Sequence, residues 1–395
     1  MTHLASRWQL DPEITFLNHG SFGACPRDVL ARQHAIRAQM EREPVAFFTR
    51  EFEPMLDAAR ARLADFLGVD CQDLVFVANA TSGVNAVLRS IDLSPGDELL
   101  TTNQAYNACR NALEFVAKRT GAVPVVAEVP FPLEHPDEVF EAVMHHVTDR
   151  TRLVLLDHIT SPTGLVLPVD RIARALEEKG IDCLVDGAHA PGMIDLDLGA
   201  LAPAYYTGNC HKWLCTPKGA AFLFVRRDRH GQIRPLTISH GANSPRTDRS
   251  KMLLEFDWPG TTDPTAWLCI PTAIEIMGGL FPGGWTELRQ HNRDLALLGQ
   301  RVLCESLGIA CPAPASMIGS LASVPIPPGL STVPPAAMDI DPLQDALYIQ
   351  DRIEVPVMPW PTPPHRVVRI SAQAYNRPEH YHLLAERLKH RLSQG

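Results

Sequence analysis

Short apolar runs that alternate with amphipathic helical stretches constrain the fold of this chain most strongly. The runs are hydrophobic throughout rather than at every second residue, as strands are when both faces of a sheet are covered. Helical stretches separate successive runs, which predicts an α/β fold built on a mostly parallel sheet. The predicted strands are 74–78, 98–101, 123–127, 152–157, 181–185 and 220–225. The predicted helices are 26–42, 51–67, a stretch that follows 79–85 and ends at about 91, 106–120, 134–147 and 170–179.

The pattern changes after about residue 257, where long helices and isolated strands replace the alternation. It predicts a smaller α+β domain at the C-terminal end, with a proline-rich stretch at 312–335. We expect an N-terminal arm over 1–20, a large domain over 21–260 and a small domain over 261–395, with the helices of 264–308 bridging them. The elements predicted in this part are helices 264–280, 285–308, 341–351 and 378–392 and strands 320–326, 353–358 and 366–371.

Composition excludes several classes of function. The 395 residues include 36 Lys+Arg and 45 Asp+Glu, so the net charge is −9, which argues against nucleic acid as a partner. No apolar run approaches the roughly 20 residues of a membrane span, and no signal peptide is evident, so we expect no membrane association. Nine scattered cysteines, an odd number, predict reduced thiols in the cytoplasm. Cys210 and Cys215 lack a second pair, so no metal site is expected.

Ligands of open α/β sheets bind at the carboxyl ends of the strands, and four sequence segments are expected there: 80–83, 183–189, 206–213 and 366–371. Residues 80–83 (Ala-Thr-Ser-Gly) lie between a strand and a helix, where backbone N–H groups can hold a phosphate. The alternative is an ordinary helix cap. Asp186 ends a buried strand, which is costly without a positive or hydrogen-bonding partner. Its alternative role is to cap the following turn.

Two basic residues stand out in the same way. Only six of the 36 basic residues are lysines, and five of these have the surroundings of surface residues. Lys212 alone is flanked by small polar residues and then by Trp213. Arg369 lies in an apolar strand, where its guanidinium needs a carboxylate, either from a substrate or from an internal salt bridge.

Together these groups meet the chemical needs of pyridoxal 5′-phosphate. Its phosphate needs hydrogen-bond donors, its aldehyde needs a lysine, and its pyridine nitrogen needs an acidic partner. An amino-acid substrate brings a carboxylate for the arginine. The combination therefore predicts a small-molecule amino-acid substrate and this cofactor.

In these residues and the motifs around them, the chain resembles the class V aminotransferase-like enzymes of fold type I, and within them the isopenicillin N epimerase-like group. The resemblance covers nearly the whole chain, and the order and spacing of its motifs match. It implies the fold-type I transferase architecture, with a mixed, mostly parallel sheet in the large domain. The matching segments are 16–23 (FLNHGSFG), 42–45 (REPV), 79–85 (NATSGVN), 158–164 (HITSPTG), 186–189 (DGAH), 208–213 (GNCHKW), 260–261 (GT) and 369–376 (RISAQAYN).

The resemblance implies a role for each site residue. Lys212 would form the internal aldimine with the cofactor and then move the Cα proton, while Asp186 would hold the pyridine nitrogen. Tyr106 would stack on the ring, and His189 and Ser161 would lie beside the ring oxygen. The implied phosphate ligands are Thr81, Ser82, Asn209 and His211.

The resemblance also implies contacts from other parts of the assembly. Thr261 would add a phosphate contact from the other subunit, which makes the protein a homodimer with shared active sites. Arg369 would bind the substrate carboxylate. Asn18 and His19 would close over the substrate from the N-terminal arm, although His19 as a plain structural histidine is an equal alternative.

The reaction has three candidates within the family: epimerisation at the α-carbon, cleavage of a C–S bond by β-elimination, and transamination. Epimerisation needs a second acid or base opposite Lys212, for which His19 and Tyr106 are candidates. Cysteine desulfuration is disfavoured, because it needs a cysteine shortly before the carboxylate-binding arginine. Residues 354–365 contain none, and the last cysteine is Cys311.

Two non-family alternatives are also disfavoured. A PLP-binding regulator that had lost catalysis would normally carry a DNA-binding segment, which neither the first nor the last 20 residues provide. Such a protein would also be free to lose Lys212 and Asp186, and both are present. A nucleotide-binding enzyme is excluded by the lack of G-x-G-x-x-G after the first strand and of a P-loop.

Overall fold

The computed structural model describes residues 4–333, 336 and 339–393. The beginning of the N-terminal arm, the last two residues of the proline-rich stretch at 312–335 and the end of the chain therefore lie outside the described residues.

A seven-stranded sheet forms the centre of the fold, and its strand order is β2-β8-β7-β6-β5-β3-β4. Neighbouring strands from β7 through β4 are parallel, and β8 runs antiparallel to both of its neighbours. This confirms the predicted α/β class with a mixed, mostly parallel sheet. The strands are β2 (Leu74–Val77), β3 (Glu98–Thr102), β4 (Val123–Ala127), β5 (Thr151–Asp157), β6 (Asp182–Asp186), β7 (Tyr205–Asn209) and β8 (Ala221–Val225).

The central strands are buried on both faces because helices cover the sheet on either side. Every residue of β2, β3, β7 and β8 is buried, as continuous apolar runs require. The edge strand β4 is more exposed and contains Pro124, which an edge position tolerates. The principal helices are Arg27–Arg42, Phe52–Leu67, Ala80–Ser90, Asn107–Thr120, Asp137–His145, Val169–Glu177, Lys251–Phe256, Ile270–Gly278, Gly284–Leu307, Pro342–Asp351 and Pro378–Leu392.

A second sheet belongs to the C-terminal part of the chain. It has the antiparallel order β11-β12-β9, formed by Val357–Pro359, Arg366–Ser371 and Leu321–Ile326. A separate pair joins β1 (Thr15–Phe16) in parallel to β10 (Ile353–Glu354). This pair ties the N-terminal arm to the C-terminal part, and the domain boundaries predicted from the sequence remain a proposal.

The structure corrects three element predictions. Strand β7 was not predicted, because Thr207, Gly208 and Asn209 interrupt its apolar pattern. The single helix expected over 264–280 is two helices, Thr265–Leu268 and Ile270–Gly278. The strand expected over 353–358 is likewise divided between β10 and β11.

No helix in the described part of the chain is long and apolar enough to cross a membrane.

The close approach of one helix to the sheet depends on glycine. A Cβ at Gly83, in the first turns of Ala80–Ser90, would lie 2.1 Å from the Thr207 Oγ1 atom and 2.7 Å from its Cβ. Because Thr207 lies in β7 and donates its hydroxyl to the Phe222 carbonyl of β8 at 2.8 Å, it cannot yield easily. Gly83 therefore lets the helix begin directly beside the end of β7.

We predict that Gly83→Ala lowers the free energy of unfolding by about 1–3 kcal/mol, the usual cost of overpacking. The measurement is thermal or denaturant unfolding of the full chain. Gly231→Ala is the matched control, because a Cβ there meets no atom within 4 Å. Equal stability of the two variants would contradict the packing argument.

Candidate active site

The parallel strands place several polar groups at one edge of the central sheet. Lys212 follows the end of β7, Asp186 ends β6, and Asp157 ends β5. The N-terminal segment packs directly on the lysine turn, since a Cβ at Gly23, whose φ is +70°, would lie 2.0 Å from the His211 carbonyl oxygen. Only glycine permits this contact and this backbone conformation.

The Lys212 amine is buried next to a histidine. Its Nζ lies 3.2 Å from the His189 Nε2 atom. Burial, and then the positive charge of Arg369, lower the pKa of Lys212 to about 8. A minor fraction of this amine is therefore uncharged at neutral pH, far more than for an ordinary lysine, and the uncharged form is the one that acts as a nucleophile or base.

Two buried carboxyl groups lie side by side, because Asp157 and Asp186 are register partners on adjacent parallel strands. Burial, together with the charge of Asp186, raises the pKa of Asp157 well above its ordinary value. Burial also raises the pKa of Asp186. Like charges this close do not both ionise readily, and we assign the shared proton to Asp157. Asp186 is then the carboxylate of the pair.

Two donors hold the Asp186 side chain in place. The Cys109 thiol donates to Oδ2 at 3.0 Å, and the Ala188 backbone N–H donates to Oδ1 at 3.0 Å. Each oxygen keeps a further lone pair for another donor. This arrangement suits a carboxylate that must accept a hydrogen bond from a protonated ring nitrogen.

Arg369 projects from the second sheet as a buried cation without a counter-charge. One NH group donates to the Ser161 carbonyl at 2.6 Å and approaches its hydroxyl at 3.3 Å, and the other donates to the Ser21 hydroxyl at 3.1 Å. No acidic side chain among the described residues forms an ion pair with it, and its buried Nε has no hydrogen-bond partner there. Burial lowers its pKa to about 10.

The residues predicted to bind phosphate lie around the start of helix Ala80–Ser90. The Asn79 side chain caps this helix by accepting from the Ser82 N–H at 2.8 Å. The Asn209 Oδ1 accepts from the Ala80 N–H at 2.8 Å, which fastens β7 to the helix. The His211 Nδ1 lies 3.1 Å from the Ala220 carbonyl, and burial lowers its pKa to about 4. Thr81 is partly exposed in the first turn.

Tyr106 and Thr261 occupy more open positions. Tyr106 precedes helix Asn107–Thr120 and is 46% exposed, with Asp186 and Arg369 as its charged neighbours. Thr261 is exposed in the loop after Gly260, whose φ is +121°. The structure does not join Thr261 to the other site residues within one chain.

His19, expected either to close over the substrate or to be a structural histidine, is fully buried and has protein partners at both ring nitrogens. Its Nε2 lies 3.0 Å from the Lys212 carbonyl oxygen, and its Nδ1 lies 2.8 Å from the Tyr375 hydroxyl. Both nitrogens are thus engaged, and burial lowers the pKa of the ring to about 3. The alternative of a structural histidine fits this geometry.

Asn18 is also engaged within the protein. Its amide donates to the Glu354 carboxylate at 2.8 Å, and its oxygen accepts from the Ser21 hydroxyl at 2.5 Å. Since Ser21 in turn contacts Arg369, Asn18 positions the arginine through the serine.

Four further residues contact the site and were not predicted: Ser21, Cys109, Asp157 and Trp213. Ser21 and Trp213 lie inside motifs that the sequence analysis quoted, so proximity to assigned residues was a usable signal. Asp157 ends a predicted strand, as Asp186 does, and the same argument would have found it. Nothing in the sequence marked Cys109.

The donor set fits pyridoxal 5′-phosphate rather than a metal. The described residues include no group of three or more His, Cys, Asp or Glu side chains that could hold a metal ion. The described residues do bring together the Lys212 amine with its lowered pKa, the buried Asp186 carboxylate and the Arg369 guanidinium, whose Nε has no hydrogen-bond partner among them. These are the partners that the aldehyde, the pyridine nitrogen and a substrate carboxylate require.

Comparisons with known proteins agree with this fit. The family model for class-V aminotransferases matches residues 26–328. Isopenicillin N epimerase of Amycolatopsis lactamdurans is 37% identical over 96% of both chains. The probable chloroplastic L-cysteine desulfhydrase of Arabidopsis thaliana is 29% identical over 98% of this chain and 84% of its own.

A solved structure supports the fold alone. The complex of the cystine C–S lyase C-DES with its product cysteine persulfide superposes with a TM-score of 0.79 at 23% identity, over 96% of this chain and 98% of that one. The family match and the fold lead to the same conclusion: the chain belongs to the class-V aminotransferases and is an enzyme whose cofactor is pyridoxal 5′-phosphate.

Proposed function

We propose that the enzyme epimerises the α-carbon of an amino acid or amino-acid-derived substrate, as the name of its 37%-identical relative indicates. One observation carries the proposal. Arg369 is a buried guanidinium without an acidic partner among the described residues, and its charge acts directly on Lys212. A substrate carboxylate bound there holds the α-carbon near the amine.

The cofactor supplies an electron sink for the electrons released when a bond to the α-carbon breaks. The chain provides the control. Asp186 is fixed by Cys109 and Ala188, and it would accept a hydrogen bond from the ring nitrogen and keep that nitrogen protonated. Asp186 is negatively charged because the one proton of the Asp157–Asp186 pair resides on Asp157.

Arg369 selects which bond breaks. Ser161 and Ser21 hold its two NH groups, so the guanidinium plane is fixed before substrate arrives. Bidentate binding of the carboxylate then orients the three remaining bonds of the α-carbon. We propose that the C–H bond is the one aligned for cleavage and that the Lys212 amine takes its proton.

The phosphate would be held, in this proposal, by Thr81, Ser82 and the start of their helix, whose dipole favours an anion. The Ala80 and Ser82 N–H groups of this turn already donate to Asn209 and Asn79, so they are not counted among the phosphate donors. Asn209 keeps an amide N–H₂ group free of the bond from Ala80. His211 lies in the same turn as Lys212. Tyr106 would stack on the ring, and His189 and Ser161 would lie beside the ring oxygen.

We also propose a homodimer in which Thr261 completes the phosphate site of the partner copy. Its exposed loop position supports this assignment. Phe22 supports it too, since this residue next to the Arg369 contact segment is 63% exposed. Free thiols at all nine cysteines are consistent with the proposed cytoplasmic location.

The second candidate is β-elimination of a C–S bond. Epimerisation needs an acid or base opposite Lys212, and engagement of both His19 nitrogens withdraws one of the two predicted candidates. Tyr106 remains. Elimination needs a single base, and the desulfhydrase relative is consistent with it.

Deuterium oxide distinguishes the two reactions. For the epimerase, we expect L- and D-isomers of one substrate to interconvert, with one solvent deuteron at the α-carbon and no keto acid. A lyase instead releases a keto acid, ammonia and a thiol from a cysteine conjugate. Mass spectrometry and chiral chromatography of a substrate panel make the measurement, and release of a keto acid from every accepted substrate would refute epimerisation.

Replacing the reactive amine tests the cofactor attachment. We expect Lys212→Ala to lose the visible absorption band that the wild-type enzyme shows with pyridoxal phosphate, and to lose activity. Lys118→Ala is the control, because Lys118 is exposed on helix Asn107–Thr120. A band that survives in Lys212→Ala would show that a different residue carries the cofactor.

Replacing the buried guanidinium tests carboxylate recognition. We expect Arg369→Met to lower kcat/KM by about 10²–10³-fold, the usual effect of removing a buried charge partner. Steady-state kinetics should also show that the wild type discriminates against the amide of its substrate and that the variant does not. Arg366→Met on the same strand is the control. Unchanged discrimination in Arg369→Met would remove Arg369 from substrate binding.

A further inference from the structure

Trp213 makes a hydrogen bond that the proposed mechanism does not use. The residue follows Lys212 directly and is 1% exposed. Its indole Nε1 donates to the Nδ1 atom of His189 at 3.3 Å, while the Nε2 atom of the same ring lies 3.2 Å from the Lys212 amine. One imidazole therefore joins the indole to the reactive amine.

The chemistry of the two rings determines where the histidine proton lies. An indole N–H can only donate, so the Nδ1 atom of His189 must accept and carries no proton. The ring is buried, and the charged or titratable groups around it are Lys212, Arg369, His19 and His211, none of them acidic. A second proton is thus disfavoured, and the single proton lies on Nε2.

We propose that Trp213 is a positioning residue that fixes His189 as the Nε2–H tautomer, so that the ring donates toward the Lys212 amine. The inference rests on the proposed function only in taking Lys212 as the reactive amine. An N–H donor facing the nitrogen favours the uncharged amine, whose lone pair accepts. It disfavours the ammonium form, which has only donors.

A second histidine shows the contrast within the same structure. His19 lies against Trp213, with ring centroids 4.8 Å apart, and receives the Tyr375 hydroxyl at Nδ1. Its Nε2 faces the Lys212 carbonyl rather than the amine. His19 thus contacts the backbone carbonyl of Lys212, and His189 contacts its side-chain amine. Only the tautomer of His189 therefore acts on the reactive nitrogen.

Loss of the indole N–H has a predictable direction. In Trp213→Phe the His189 proton can move to Nδ1, which leaves a lone pair on Nε2 that accepts from the ammonium form of Lys212. The charged form then gains a hydrogen bond. The pKa of Lys212, lowered to about 8 in the wild type, should rise by about one unit.

The experiment uses the full chain, with and without cofactor. NMR of ¹⁵N-histidine-labelled protein identifies the tautomer of His189, whose signals are assigned by their loss in His189→Gln. The pH dependence of acetic anhydride labelling at Lys212, followed by peptide mass spectrometry of the cofactor-free chain, gives the pKa. Trp267→Phe is the matched control, because it deletes a buried indole N–H that donates to the Val77 carbonyl at 3.2 Å.

In the wild type and in Trp267→Phe, we expect His189 to be protonated at Nε2 and the labelling of Lys212 to give the lower pKa. In Trp213→Phe, we expect the His189 proton to move to Nδ1 and the pKa of Lys212 to rise. If His189 is protonated at Nδ1 in the wild type, the proposal is overturned. This outcome is measured on the wild-type protein and does not depend on the folding of any variant. An unchanged tautomer and midpoint in Trp213→Phe overturn it as well. Neither readout requires turnover, so failure here is distinguishable from failure of the epimerase assignment.

Discussion

Burial of a primary amine among charged neighbours is the constraint on which the rest of the site depends. Lys212 and Arg369 are two cations removed from water, and an unpaired charge in such a place is costly. Asp157 and Asp186 offset them with one shared proton. The repulsion from Arg369 and the loss of hydration both move Lys212 toward its uncharged form. The same balance leaves Arg369 short of a partner until an anionic substrate arrives.

The fold meets this constraint by joining two sheets and the N-terminal arm at one place. Parallel β5, β6 and β7 end at the same edge and deliver both carboxylates and the lysine turn. Arg369 comes from β12 of the second sheet, which the arm reaches through the Gly20 N–H donating to the Ser371 hydroxyl at 3.0 Å. Gly20 permits this approach, because a Cβ there would lie 2.8 Å from the Leu321 side chain of the second sheet.

Strand ends were predictable because burial of a polar group after an apolar run is a local signal. Asp186 was identified in this way. Lys212 was instead singled out among six lysines by its small polar neighbours, and Arg369 by its position within an apolar strand. Strand β7 was missed because Thr207, Gly208 and Asn209 interrupt its apolar pattern. The contacts of His19 were not predictable from the sequence because its partners, Tyr375 and the Lys212 carbonyl, are distant along the chain. Long-range hydrogen bonds leave no local pattern, so second-layer contacts need the structure.

The fold alone does not determine the reaction, because the chain superposes on a C–S lyase at 23% identity. What differs between epimerisation and elimination is the group on the face opposite Lys212, after the first proton has left. An acid on that face returns a proton to the α-carbon and inverts its configuration. Without such an acid, loss of a β-substituent competes with reprotonation. His19 has protein partners at both ring nitrogens, whereas Tyr106 is a partly exposed ionisable side chain beside Asp186 and Arg369. Burial raises its pKa, so the phenol stays protonated and has a proton to give, which is the form that a second acid requires.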